Sequence, residues 1–333
     1  MGCVRFEVSY PHCWRIEYKT GLAGASGATG DGTMQRQLSQ NEEVNSFHSG
    51  RTWELESQLA DLREDAPMPT GRFFIAGCQR SGTTLMRLIL ECHPDIFCFD
   101  ETEGYKALMQ ARSLPPLGKR LVGFKVPRYT EQFGEPLAFD FGLEETAANF
   151  YQSDPIIFML RDVRDTVASM MSLKAGEAPW LEVYGRSILA AKTEEPGFRE
   201  RFEVEIAQVE KTNNSLAAAG ALYWKYKTRA YLDYAERGFP VLNVVYEKLA
   251  TTPEPVLRRV LGFLRLNWHP ALLEHPRFAH REVAPCGRTV GETDPRRSID
   301  RASIGRWKSV LTPEDLDDIW RISGDLMVDL KLA

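Results

Sequence analysis

Long apolar runs are the first thing this 333-residue chain lacks: none approaches the roughly 20 residues needed to span a bilayer, so no membrane association is expected. It opens without a continuous apolar h-region, so no secretory signal is expected either. The start Met1-Gly2-Cys3 carries Phe6 where a myristoylation site has Ser or Thr, which discounts that lipid anchor. A basic surplus is missing too. Against 41 Lys and Arg stand 46 Asp and Glu, and a net charge of −5 excludes a general nucleic-acid binder. Basic residues then act locally, around a small anionic ligand. The six cysteines (Cys3, Cys13, Cys78, Cys92, Cys98, Cys286) include no C-x-x-C pair, and reduced thiols are expected in place of a disulfide framework. His269, His275 and His280 lack metal-ligand spacing and read as surface or core residues; no metal is expected.

What the chain does have is concentrated between Arg72 and Pro94, RFFIAGCQRSGTTLMRLILECHP. Arg72–Gly77 is a short aromatic and β-branched run that predicts a buried strand. Leu85, Leu88, Ile89 and Cys92 fall at i, i+3, i+4 and i+7, one apolar face of a helix. Between them lie Gly77, Gln79, Arg80, Ser81, Gly82, Thr83 and Thr84. Strand, glycine- and hydroxyl-rich turn, then helix is how a chain aims free backbone N–H groups and a helix dipole at a phosphate. Arg80 adds a full charge and a forked donor.

One residue is conspicuously absent from this loop. Gly77 and Gly82 keep the G-x-x-x-x-G spacing of a nucleotide P-loop, but Thr83 stands where that motif has lysine. A kinase or NTPase places that lysine on the β- and γ-phosphates. The missing lysine weighs against that class and favours a smaller anionic end-group.

GCQRSGTTLMRLILECHP resembles the 5′-phosphosulfate loop of sulfotransferases that use 3′-phosphoadenosine 5′-phosphosulfate (PAPS), and the wording is closest to protein-tyrosine sulfotransferases and their bacterial relatives. The resemblance covers most of the chain after Gly71. It implies a P-loop-kinase-like α/β fold and PAPS as sulfuryl donor without a metal. It further implies that Gln79, Arg80, Ser81, Gly82, Thr83 and Thr84 hold the phosphosulfate. Arg161 and Ser169 match the family's second motif, R-x-x-x-x-x-x-x-S, which holds the 3′-phosphate. Lys125 matches a strand lysine that stabilises the bridging oxygen. Tyr246 in YEKL and Arg306-Trp307 in the GRW segment match residues near the nucleotide. Glu101, in CFDETEGY, matches the second acid of a C-x-E-E-T stretch and with it the proposed base, since no histidine follows Lys125 closely. Asp100 and His93 are the alternatives. Golgi members bridge a cysteine near Cys98 to one just before the catalytic lysine; Phe124 occupies that place here, which favours a cytoplasmic enzyme.

Along the chain, residues 1–68 form an extension distinct from the domain at 69–333, with a linker-like tract at Gly21–Thr33 and a partial helical face at Trp53–Arg63. Further strands are predicted at Leu121–Val126, Pro155–Leu160 and Pro240–Val245, with helix signals at Leu143–Phe150, after Asp162, through 175–237, at Pro253–Leu264 and after Thr312. Asp162 is expected to N-cap its helix, with Asp165 completing an acidic capping box. Arg281–Arg306 is expected to loop over the site.

Strands alternating with helices predict an α/β fold, a central parallel sheet flanked by helices in three layers. Such sheets bind ligands beyond the carboxyl ends of their strands. The predicted strand ends bring the Arg80 loop, Lys125, Arg161 and Tyr246 to one edge. A bound phosphosulfate would supply the counter-charge that a buried Lys125 needs. The functional expectation is sulfuryl transfer from PAPS to a hydroxyl, less readily an amine, of a small-molecule or peptide acceptor. A P-loop kinase or NTPase and a non-catalytic nucleotide-binding module are the alternatives.

Overall fold

The computed structural model describes residues 6–9, 13–16, 71–99, 101, 104, 107, 118–130, 153–212, 215–278, 280 and 293–332. In the extension, β1 (Phe6–Ser9) pairs antiparallel with β2 (Cys13–Ile16). The main sheet comprises β3 (Gly71–Gly77), β4 (Ile96–Phe99), β5 (Leu121–Lys125), β6 (Ile156–Leu160) and, after a two-residue hairpin pair β7 (Lys174–Ala175) and β8 (Ala178–Pro179), β9 (Val241–Val245). Its order is β4-β5-β3-β6-β9, and every pairing is parallel. Helices α1 (Thr83–Glu91), α2 (Val163–Ser172), α3 (Arg186–Thr193), α4 (Pro196–Arg201), α5 (Glu203–Lys211), α6 (Leu216–Glu236), α7 (Tyr246–Thr251), α8 (Pro253–Phe263) and α9 (Pro313–Asp329) fill the connections.

The strands read as unbroken apolar runs because the sheet is covered on both faces. Successive residues of β3 point to opposite sides. Phe74 and Ala76 join Phe124 and Phe158 in one core, which Ala230 and Tyr234 of α6 close. Phe73 and Ile75 join Ile96, Ile157 and Met159 in the other, closed by Met86 and Ile89 of α1 and by Leu257 and Leu261 of α8. A third apolar cluster joins α2, α6 and α9 through Val163, Val167, Trp224, Ile322 and Leu326. The result is the expected three-layer parallel architecture.

Two readings of the sequence change here. A fifth strand, β4, lies at the sheet edge; its four residues, IFCF, are too few to show a period. In addition, the Asp162–Asp165 capping box does not form. Asp162 caps α2 by accepting from Arg164 N (2.8 Å), but Asp165 turns elsewhere. By contrast α9 has the full box: Thr312 accepts from Asp315 N (3.2 Å), and Asp315 accepts from Thr312 N (2.9 Å). The predicted helices at Leu143–Phe150 and Trp53–Arg63, and the Gly21–Thr33 tract, lie outside the described residues.

Chain direction places the site. From β3 the chain leaves toward β4 and β5; from β6 it leaves toward β9 on the other side. Ligands of such sheets settle where neighbouring connections diverge, here between the carboxyl ends of β3 and β6. Among the described residues no helix is long and apolar enough to cross a membrane.

Candidate active site

The loop after β3 is shaped by three residues with positive φ: Gly77 (130°), Arg80 (72°) and Gly82 (96°). Neither glycine has room for a side chain. A Cβ on Gly77 would lie 2.5 Å from Met159 O, and one on Gly82 would lie 2.6 Å from the Tyr246 ring. Ser81 turns inward: its hydroxyl (2.6 Å) and its backbone N–H (3.1 Å) both donate to Cys78 O, which fixes the turn of the loop. Thr130 locks the end of β3: Gly77 N donates to Thr130 Oγ1 (3.0 Å), and that hydroxyl donates to Gly77 O (2.9 Å). No side chain caps the N-terminus of α1. Its first-turn N–H groups, with the dipole behind them, face the cleft.

A cleft of about 460 Å³ opens there, walled by Arg80, Gly82, Thr83, Thr84, Leu85, Arg161, Ser169 and Tyr246 on the sheet side and by Thr293, Asp294, Arg297, Ser298, Asp300, Ser303 and Arg306 opposite. The expected loop over the site is therefore present in its described part. Gln79, Ser81, Glu101, Lys125 and Trp307 are not among the residues that wall it.

Arg161 leaves β6 and is almost fully buried. Its guanidinium donates to Arg80 O (2.7 Å) and Ser303 O (2.5 Å) and sits 4.4 Å from the centre of the Tyr246 ring. It pairs with neither Asp162 nor Asp165. Its Nε–H is buried without a protein acceptor. Arg80 donates from Nε to Ser169 Oγ (3.0 Å), which brings the two predicted phosphate motifs into contact. Arg164 forks onto Asp162 (2.5 Å at the closest pair), and this bonding raises its already high pKa. Glu247, which accepts from Asp162 N (3.1 Å), has its pKa raised chiefly by burial. On the far wall Arg297 and Asp300 hold each other ionised, the arginine pushed up and the carboxyl pushed down.

The cation missing from the loop arrives from the next strand. Lys125 ends β5, 1% exposed, and donates to Thr84 Oγ1 (3.2 Å). Its counter-charge is in the protein after all: Glu101 Oε2 lies 3.0 Å away, and Glu101 Oε1 accepts from Arg128 Nε (2.9 Å). Among the described residues Arg128 is an addition that sequence reading missed; an arginine three residues past the strand lysine carries no motif. Asp100 is outside the described residues. His93 is occupied: Asp95 N donates to its Nδ1 (3.1 Å), so Nε2 carries the hydrogen and donates to Asn267 O (3.0 Å), while burial lowers its pKa. Both its ring nitrogens are thus engaged within the protein.

These residues fit a nucleotide carrying two anionic ends. The uncapped α1 N-terminus with Arg80, Thr83 and Thr84 presents one set of donors to the cleft, and the buried Arg161 Nε–H, without a protein acceptor, is a second donor that could hold an anion. Among the described residues no group of His, Cys, Asp and Glu is arranged to hold a metal ion.

Comparison with known proteins agrees with this geometry. The family model described as "Sulfotransferase domain" matches residues 70–331. The protein-tyrosine sulfotransferase of Drosophila melanogaster is 26% identical over 285 residues, covering 77% of this chain and 48% of that protein. Protein-tyrosine sulfotransferase A of Caenorhabditis elegans is 21% identical over 274 residues, 78% of this chain and 67% of that one. The chain thus spans about half the length of the first of these relatives. Among solved structures, a sulfotransferase domain from the curacin biosynthetic pathway superposes with a TM-score of 0.50 at 18% identity, covering 78% of this chain and 98% of that one, a likeness of fold.

Proposed function

The chain belongs to the sulfotransferase domain family, and from that membership we propose that it moves a sulfuryl group from PAPS to an acceptor hydroxyl, releasing 3′-phosphoadenosine 5′-phosphate. One observation carries the reading: a buried ammonium, a buried carboxylate and an uncapped helix N-terminus meet through Lys125, Glu101 and Thr84 at one sheet edge.

In this reading the loop Gln79–Thr84 cradles the phosphosulfate, and Arg161 with Ser169 takes the 3′-phosphate. Tyr246, Arg306 and Trp307 close on the nucleotide. The acceptor oxygen attacks sulfur, and the bond from sulfur to the bridging phosphate oxygen breaks. Lys125 and the loop N–H groups stabilise the charge developing on that oxygen. Glu101, ion-paired with Lys125 and Arg128, takes the acceptor's proton as transfer proceeds. The acceptor is a small-molecule or peptide hydroxyl, the working unit is residues 69–333, and the place of action is the cytoplasm.

The test incubates the protein with PAPS and a metabolite and peptide extract and searches by mass spectrometry for products heavier by one SO₃. Glu101→Gln should abolish turnover while retaining nucleotide binding. Thermal melts in EDTA that shift with ATP, and not with PAPS or its desulfated product, would overturn the reading in favour of a kinase.

A further inference from the structure

Asp165 is buried near the start of α2, and its carboxylate is spent on another part of the chain. Oδ2 accepts from Gly305 N (2.7 Å) and Oδ1 from Trp307 N (3.1 Å), so the two oxygens bracket Arg306. The segment that leads from β6 into α2 grips this strap twice more. Arg161 donates to Ser303 O (2.5 Å), and the Arg164 guanidinium lies 4.8 Å from the centre of the Trp307 ring. Gly305, at φ 75°, supplies the left-handed turn that lets its own N–H and that of Trp307 converge on one carboxylate. Arg306, between them, is exposed and lines the cleft.

We propose that Asp165 is a positioning residue that ties the 303–307 strap to α2 and thereby holds Arg306 at the nucleotide cleft; this rests on the sulfotransferase reading. Two charge-assisted bonds to backbone N–H groups are the stronger kind, and they cost nothing in selectivity because they touch no ligand. Asp165 acts through the strap, and chiefly through Arg306, the cleft-lining residue between its two bonds. Removing it should therefore matter far less once Arg306 is gone.

The experiment is a double-mutant cycle with 3′-phosphoadenosine 5′-phosphate as probe. Asp165→Asn keeps the shape but leaves an amide that can accept only through one oxygen. It and Arg306→Gln should each weaken binding roughly tenfold, and the double variant should lose little more than either alone. Kinetically, the loss in Asp165→Asn should fall on KM for PAPS. Without ligand, hydrogen exchange at 303–310 should quicken in Asp165→Asn and not in Arg306→Gln. Should Asp165→Asn fold poorly, Gly305→Ala loosens the strap from its other end: a Cβ there meets nothing closer than 3.9 Å, so only the turn is strained. The same coupling to Arg306 is expected from it. Additive losses, or unchanged exchange, with normal wild-type binding would overturn this inference alone. Failure of the wild-type chain to bind the probe would sink the sulfotransferase reading and the inference with it.

Discussion

Behind α1 lies a histidine whose replacement should alter the protein's response to acid. His275 is fully buried, and neither ring nitrogen has a hydrogen-bond partner. Its neighbour His280 has two: Nδ1 meets Glu91 Oε2 (3.1 Å) and Nε2 meets His275 O (2.8 Å). Burial, with His280 beside it, pushes the His275 pKa down from 6.5 to about 4.

The sign follows from which state holds the proton. Between pH 4 and 6.5 the unfolded chain protonates His275 and the folded chain does not, so folding loses stability as pH falls through that window. The full contribution, about 3 kcal/mol, is present above pH 6.5 and gone below pH 4. Between pH 7 and pH 5 the loss is about 2 kcal/mol. His275→Leu removes the titration together with two orphaned polar atoms and roughly keeps the volume. It should be at least as stable as wild type at pH 7 and should lose about 2 kcal/mol less on going to pH 5. The assay is urea unfolding of both proteins at half-unit pH steps from 4.5 to 8. His93, also shifted down, contributes acid sensitivity to both and cancels in the difference. Parallel stability curves for the two proteins would refute the reasoning.

Gly82→Ala should cost the protein its nucleotide, at least tenfold in affinity by calorimetry, because φ is 96° and the new methyl would press to 2.6 Å on the Tyr246 ring. Thr130→Val keeps the shape but strands the buried Gly77 N–H and C=O; melts should show a loss of about 1–3 kcal/mol with a weaker phosphate site. Arg265→Gly should stabilise by roughly 0.5–1 kcal/mol without altering turnover. Arg265 ends α8 at φ 57°, where its N–H bonds Gly262 O (3.1 Å) and that of Leu266 bonds Leu261 O (2.8 Å), a helix stop that favours glycine.

The phosphate loop was legible because its logic is local. Apolar run, Gly77, Gly82, hydroxyls and a helical face all lie within one strand–turn–helix, and each acts on near neighbours in the chain. The same holds for β5, β6 and β9, whose apolar runs had to be buried on both sides, and for the Thr312–Asp315 box. Parallel strands then bring Lys125, Arg161 and Tyr246 to the same edge without further information. The pairings that finish the site are of another kind. Arg161 reaches 81 residues back to Arg80 O and 142 forward to Ser303 O. Asp165 abandons a local cap for N–H groups 140 and 142 residues on, since a buried carboxylate with two backbone donors is better satisfied than one with a single N-cap. Lys125 finds Glu101 where an anionic ligand seemed necessary. Spacing in a sequence reports which residues share a helix face or a strand edge. It says nothing about which of several acids, all within reach of a turn, will meet a given cation once the sheet has closed; only packing decides that.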